Sequence, residues 1–244
     1  MSARKSSRLD DKLIQMGLAD SMQTAHALIM SGNVIVDDQR VDKPGTIISE
    51  VSRVRLKDKG QFVSRGGDKL LSAIQQLNIA NDFIGKVVLD VGASTGGFTD
   101  CLLQHGAKLV IALDVGTAQL DWKLRTHPQV ISIEQTDIKE FNADNYPSID
   151  WIVVDVSFTS LAKLIPYIHK AAPKARILLL VKPQFELPKE KIPPGGIVIN
   201  DEDRHIALEL VIKALKTSGY TVASTIDASV HGRHGNRELF ILTK

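Results

Sequence analysis

The passage "KVVLDVGASTGGFTDCLLQHG" (86–106) runs an unbroken apolar stretch into a loop of small and turn-prone residues, then into a helix-like segment that stops at a glycine. Apolar runs without alternation read as strands buried on both faces, and such strands belong to parallel sheets covered by helices. The rhythm continues downstream. "KLVIALDV", "VISIEQ", "DWIVVDV" and "ARILLLVK" read as strands two to five, with a short helix at 118–125 after the second. After the insertion "PQFELPKEKIPPGG", a long amphipathic helix is predicted over about 203–217, with Ile206, Leu210, Val211, Ala214 and Leu215 on its core face. "TVASTIDAS" and "RELFILTK", joined by a Gly-rich turn, close the chain as two strands. The fold class is therefore α/β: a Rossmann-like sheet of five parallel strands plus a C-terminal antiparallel hairpin. That hairpin departs from the two equal halves of a dehydrogenase and fits the methyltransferase variant of the doubly wound sheet.

The first sixty residues have another character. Ser7 and Asp10 resemble a capping pair, Leu9, Leu13 and Met16 share a helical face, and Gly17 is a natural stop. Ser21 caps a second helix, with Ala25, Leu28 and Ile29 at helical spacing and Gly32 at its end. "NVIVDDQRVDKPG" reads as two short strands turning at Asp37-Asp38, and "SRVRLK" puts Arg53, Arg55 and Lys57 on one side of a strand. A small N-terminal α+β domain over 1–60, a linker with the first helix of the second domain over 61–84, and the α/β domain over 85–244 follow.

Charge and composition narrow the function. Lysine and arginine number 30 against 28 acids over 244 residues, but residues 1–69 hold 12 basic and 9 acidic residues against 18 and 19 in the remainder. The positive excess sits in front, where it suits a polyanion. A single cysteine, Cys101, excludes a disulfide framework and a cysteine-rich metal site, and no His and acid spacing suggests a metal. No apolar segment reads as an export signal or membrane span. The expectation is a soluble cytoplasmic protein with no membrane partner and no metal.

Glycines after a first strand let backbone approach a ligand, and the following helix N-terminus carries partial positive charge. The loop lacks the dinucleotide fingerprint. Ser94 stands where the second glycine should meet a pyrophosphate, and Gly96 and Gly97 are adjacent. Asp114, 22 residues after Gly92, is placed to accept from a ribose diol, which serves NAD and S-adenosylmethionine equally. Asp137 is placed to meet an adenine amine, and Asp90, inside an apolar strand, to hydrogen-bond the loop or an ammonium group. Gly92, Ser94, Gly96, Gly97 and Phe98 complete the candidate cofactor set. Two neighbouring strands end in opposite charges, Asp155 and Lys182, at the crevice where such sheets bind ligands. With Lys69 and Glu238 they form a second candidate group.

Two resemblances sharpen this reading. "RLDDKLIQMGLADSMQTAHALIMSGNVIVDDQRVDKPG" resembles the S-four-type RNA-binding domain, which presents a basic surface to structured RNA. The family usually has arginine after the capping serine of helix two, where this chain has Met22; Arg4, Lys5, Arg8 and Lys12 remain to meet phosphates. "FVSRGGDKL", "LDVGASTGGFTD", "ALDVGTAQLDWKLR", "VVDVSFTSL", "LVKPQFE", "PPGGIV" and "HGRHGNRELF" resemble successive signatures of the TlyA, or hemolysin A-like, family over almost the whole chain, while "KDKGQF" departs from that family's aromatic basic linker. The resemblance implies an FtsJ-related methyltransferase that uses S-adenosylmethionine on a ribose 2′-hydroxyl of ribosomal RNA, free or in ribosomal subunits. It also implies a Lys-Asp-Lys-Glu tetrad of Lys69, Asp155, Lys182 and Glu238.

Methyl transfer is an in-line displacement, so the enzyme must orient the hydroxyl and assist loss of its proton. Lys182 is placed against the hydroxyl either as a base, which requires it neutral against an ordinary pKa of about 10.4, or as a charged group steadying the alkoxide. Attack at a pyrimidine carbon needs a nucleophilic cysteine, and Cys101 is predicted on the helix after the cofactor loop. Exocyclic amines call for Asn/Asp-Pro-Pro-aromatic after strand four, where this chain has "DVSF". Ribose oxygen remains. His231, Arg233, His234 and Arg237 near the rim, with Arg65, are expected to meet the RNA backbone. The alternatives are a non-catalytic RNA-binding or ribosome-associated factor, then a hemolysin, then a dehydrogenase.

Overall fold

The computed structural model describes residues 6–56, 60–230, 232 and 235–244. Arg4, Lys5, Lys57, His231, Arg233 and His234 lie outside the described residues. The chain divides into two compact units, Met1–Lys59 and Gly60–Lys244.

In the first unit, β1 (Ser6–Arg8) leads into α1 (Leu9–Gln15) and α2 (Met22–Met30), followed by β2 (Val34–Val36), β3 (Gln39–Val41), β4 (Ile47–Ser49) and β5 (Val54–Leu56). β1 pairs with β4, and β2 lies between β3 and β5. Leu9, Leu13, Ala25, Ile29, Val34 and Val54 form the core. Asp37 and Asp38 both take positive φ, 48° and 64°, as a two-residue hairpin turn of the favoured twist demands. Ser21 Oγ accepts from the Thr24 N–H at 3.1 Å and caps α2. The Ser7–Asp10 capping pair does not form. Ser7 belongs to β1, and Asp10 is fully buried, bound to Arg8 Nη2 at 2.6 Å and to His26 Nε2 at 3.1 Å. A charge-assisted bond to guanidinium is the stronger partner. Arg8 is the main cause that holds the Asp10 carboxyl down at about 2. Arg55 lies in β5 and pairs with Asp38, while Arg53 precedes the strand.

The second unit opens with α3 (Arg65–Leu77). It continues through β6 (Val87–Val91), α4 (Gly97–Gln104), β7 (Leu109–Leu113), α5 (Trp122–Arg125), β8 (Val130–Ile133), β9 (Trp151–Val154), α6 (Leu161–Ala171), β10 (Arg176–Val181) and α7 (Pro183–Glu186), then α8 (Asp201–Thr217), β11 (Val222–Asp227) and β12 (Leu239–Thr243). The sheet order is β11-β12-β10-β9-β6-β7-β8. β6 to β10 run parallel, and β12 is antiparallel to both β10 and β11. Cores cover both faces, which explains the unbroken apolar strands. Leu89, Ile111, Ile152 and Leu179 pack with Ile165 and Val211 on one side, and Val88, Val153 and Leu178 with Leu70, Ile74 and Leu102 on the other. The strand order reverses about β6, so the carboxyl ends of β6 and β9 part there and leave the crevice that such sheets use.

Two element boundaries differ from the sequence reading. The helix expected at 118–125 is only α5. Ala118 takes φ 51°, outside the helical region, and Asp121, at ψ 139°, accepts from the Lys123 N–H at 3.0 Å and caps the helix only there; the N–H groups of Ala118 and Gln119 are accepted by Glu134 at 2.7 and 3.2 Å, which fixes them in a loop. α8 starts earlier, at Asp201, because Asn200 accepts from the Glu202 N–H at 2.8 Å and the first turn is acidic. Among the described residues no helix is long and apolar enough to cross a membrane.

Candidate active site

A cavity of about 690 Å³ opens beyond the carboxyl ends of the parallel strands, within the ~300–1,000 Å³ usual for small-molecule sites. Gly92, Ser94, Asp114, Asp137 and Gln119 line one part of it, and Lys69, Asp155, Ser157, Lys182, Asn236 and Glu238 another.

The first part is shaped by backbone. Gly92 has φ +86°, and a Cβ there would stand 2.8 Å from the Asp155 carbonyl oxygen, so no side chain fits. Ser94, itself at φ 48°, donates its N–H to Asp114 Oδ2 at 2.8 Å, and Gly116 donates to Asp114 Oδ1 at 2.7 Å. Asp114 thus joins the loop after β6 to the loop after β7. Asp137 accepts from the Lys139 N–H at 3.0 Å. Gly96, Gly97 and Phe98 do not line the cavity. Gly96 starts α4 at φ +95° beneath Leu120 and Leu124, and a Cβ on Gly97 would stand 2.7 Å from the Gly67 nitrogen. Gly97 lets the first turns of α3 and α4 touch, and Phe98 stacks on Phe240 at 6.4 Å.

Asp90 lies beneath this loop, fully buried. Thr99 Oγ1 donates to its Oδ2 at 2.6 Å, while Oδ1 has no hydrogen-bond partner. Burial pushes its carboxyl up to about 7, since desolvation disfavours the anion.

The second part holds two ion pairs. Lys69 reaches Glu238 Oε2 at 2.5 Å, both nearly buried. The close approach of α3 to α4 positions Lys69 on its helix, and the segment before β12 carries Glu238, with Gly232 leaving room for its carboxylate. Lys182 lies 2.7 Å from Asp155 Oδ1 and donates to Ser157 Oγ at 2.8 Å. Asp155 Oδ1 is close to the ammonium but off hydrogen-bond alignment, and it is a buried acceptor without such a bond. The four residues therefore face one cavity as two pairs. Ser157 was not singled out in the sequence, where a serine after "DV" carries no signal. Phe158 is 92% exposed at φ 65°, with its ring 5.4 Å from that of Phe185. Strain of that kind persists where surroundings over-determine it.

The proposed RNA-facing cations are dispersed. Arg8 is held by Asp10, Lys12 Nζ donates to the Glu50 carbonyl at 3.4 Å, Arg65 opens α3, and Arg237 pairs with Asp201 at 3.0 Å. Among the described residues no three His, Cys, Asp or Glu side chains converge as a metal site.

The residues fit S-adenosylmethionine. That cofactor brings an ammonium, a sulfonium and a ribose diol, and the cavity meets them with the carboxylates of Asp114, Asp137 and Asp155 and with the loop that Gly92 shapes.

Residues 62–244 match the FtsJ-like methyltransferase family and residues 7–54 the S4 domain. The chain is 37% identical to the 16S/23S rRNA (cytidine-2′-O)-methyltransferase TlyA of Mycobacterium tuberculosis, over 96% of this chain and 88% of that protein. It is 37% identical to Hemolysin A of Brachyspira hyodysenteriae, over 95% of this chain and 97% of that protein. A solved structure from Streptococcus thermophilus that carries a hemolysin name superposes with a TM-score of 0.74 at 36% identity, covering 99% of this chain and 90% of that one. With this identity along nearly its whole length and the family match over residues 62–244, the chain belongs to the TlyA family of FtsJ-like methyltransferases.

Proposed function

We propose that the protein transfers a methyl group from S-adenosylmethionine to a ribose 2′-hydroxyl of ribosomal RNA. The observation that carries this reading is the pairing of Lys182 with Asp155 and of Lys69 with Glu238 in one cavity whose other part is lined by Asp114 and Asp137. When bound, S-adenosylmethionine supplies an electrophilic methyl. Asp114 would hold the ribose diol and Asp137 the adenine edge, while Asp90 supports the loop from beneath through Thr99. Gly92 admits the cofactor close to the strand end.

At the acceptor end, an ammonium has three N–H donors. Ser157 takes one and Asp155 balances the charge without a hydrogen bond, which leaves a donor for the ribose oxygen. Lys182 thereby orients the hydroxyl and steadies negative charge as it develops, a preorganised electrostatic role. Asp155 Oδ1, buried 2.7 Å from the ammonium and without a hydrogen bond, is an acceptor for the departing proton. Lys69 and Glu238 hold the ribose from the α3 side. A Lys182→Arg enzyme keeps a cation but not a lysine base. It is expected to retain measurable transfer, and complete loss with intact folding would restore the base role.

The S4 domain fits RNA, with Arg8 and Lys12 supplying phosphate contacts, and the relatives named for rRNA methylation support ribosomal RNA as the substrate. Action on ribosomes places the protein in the cytoplasm. The decisive experiment incubates it with labelled S-adenosylmethionine and unmodified ribosomal subunits or free rRNA, then maps the label. Ribose-linked label at one nucleotide is expected, with cytidine the first to examine because those relatives are named for it. Cofactor binding without label in either subunit or free RNA would instead favour a non-catalytic RNA-binding factor.

A further inference from the structure

One five-residue stretch grips the same loop at both ends. Residues 155–160 join β9 to α6 and carry Asp155, Ser157, Phe158 and Thr159, all of which line the cavity. Lys182 holds the near end through Asp155 and Ser157. Four residues later, Glu186 holds the far end: its Oε2 accepts from Ser160 Oγ at 2.6 Å and its Oε1 from the Leu161 N–H at 2.8 Å. Between the two grips the chain is one turn of α7 with Pro183 at its first position, a connection with little freedom.

Glu186 is buried, at 9% exposure, and does not line the cavity. Its carboxyl is raised above the ordinary range by burial, so the site holds it against desolvation. Ser160, the residue before α6, makes no side-chain cap of its own, and the N-terminus of that 11-residue helix is met by Glu186 instead. A helix cap alone could be supplied by Ser160 locally, as serine does at many helices. Bringing the cap from the stretch that begins at Lys182 has a different consequence. The loop is then registered against the lysine, and Phe158 is kept exposed at its positive φ.

We propose that Glu186 is a positioning residue for the acceptor nucleotide, which fixes Asp155, Ser157 and Phe158 relative to Lys182 by clamping the far end of residues 155–160. The proposal rests on the methyl-transfer reading above. It separates Glu186 from the cofactor loops after β6 and β7, which it does not touch.

The test compares wild type, Glu186→Ala and Glu186→Gln in steady-state methyl transfer with rRNA and S-adenosylmethionine varied in turn, together with hydrogen exchange of the peptides covering 155–161 and 116–121. Displacing reacting groups by about 1 Å can cost ~100-fold, so Glu186→Ala is expected to lower kcat/KM for RNA about 10- to 100-fold. KM for S-adenosylmethionine should stay within about 2-fold, and exchange should quicken at 155–161 but not at 116–121. Glu186→Gln keeps an acceptor for the Leu161 N–H and is expected to recover most of the loss. A lower melting temperature with unchanged RNA kinetics and unchanged exchange in the loop would mean a structural cap only and overturn the proposal. Should wild type transfer no methyl, the functional reading fails by itself. Loop exchange then decides the clamp: quickened in Glu186→Ala supports it, unchanged overturns it.

Discussion

At one end of the cavity carboxylates meet backbone N–H groups; at the other they meet lysines. Asp114 takes the N–H groups of Ser94 and Gly116, and outside the cavity lining Glu134 takes those of Ala118 and Gln119 together with the Arg125 guanidinium. Across the cavity, Glu238 and Asp155 face Lys69 and Lys182. The first arrangement orders loops around a ligand that brings its own positive charge. The second stores opposite charges close together in a partly desolvated place, where they can be redistributed as a hydroxyl becomes an ether. Damage should therefore differ in kind: affinity at the cofactor end, rate and stability at the acceptor end.

The strongest challenge to that contrast is to break one buried pair. Lys69→Met leaves Glu238 uncompensated and is expected to cost about 3–5 kcal/mol of stability. Adding Glu238→Leu should restore most of it in urea unfolding while methyl transfer stays lost. If activity returned with stability, the pair would be structural. Next, Lys182→Ala is expected to reduce kcat about 100- to 1,000-fold, with S-adenosylmethionine affinity by calorimetry unchanged. A parallel loss of cofactor affinity would show that the two ends are not separable.

Asp90 tests the same contrast through pH. Its folded pKa is raised to about 7 from the ordinary 3.8. Between those values the folded protein binds a proton that the unfolded chain has released, so stability falls as pH rises through the window and levels off above about 7. The slope approaches about 1.4 kcal/mol per pH unit. Asp90→Asn should flatten that part of the urea-midpoint profile, and an unaltered slope would refute the assignment. Asp10 has the opposite sign: with its pKa down at about 2, its contribution is present above the unfolded value and lost as pH falls below it. The smallest effect is expected from Asp114→Asn, which loosens two loop ties. Affinity for S-adenosylmethionine should fall about 10-fold with kcat at saturation little changed; a kcat defect would place Asp114 in the chemistry itself.

Much of this was legible from the chain. Unbroken apolar strands announced a covered parallel sheet, and Asp155 and Lys182 stood out because charges at the ends of such strands are hard to explain as packing. The pairing was not legible. Lys69 and Glu238 are 169 residues apart, and no spacing rule connects a helix at the start of the domain to the residue just before its last strand. Nor could composition separate ligand-shaping glycines from packing glycines: Gly92 faces the cavity, whereas Gly97 makes room for α3. The helix expected at 118–125 is shortened because Ala118 takes a left-handed φ of 51° and Asp121 caps the chain only at Trp122.

By itself the sequence determined the domain order, the class of sheet and the residue types at the strand ends, because periodicity and turn chemistry act over a few neighbours. Only the tertiary structure decided how the four charges of the tetrad pair, which carboxylate holds which loop and that Glu186 reaches back to Ser160 and Leu161. Those are contacts between segments brought together by burial of the core, and their energies depend on distance and desolvation rather than on position in the chain.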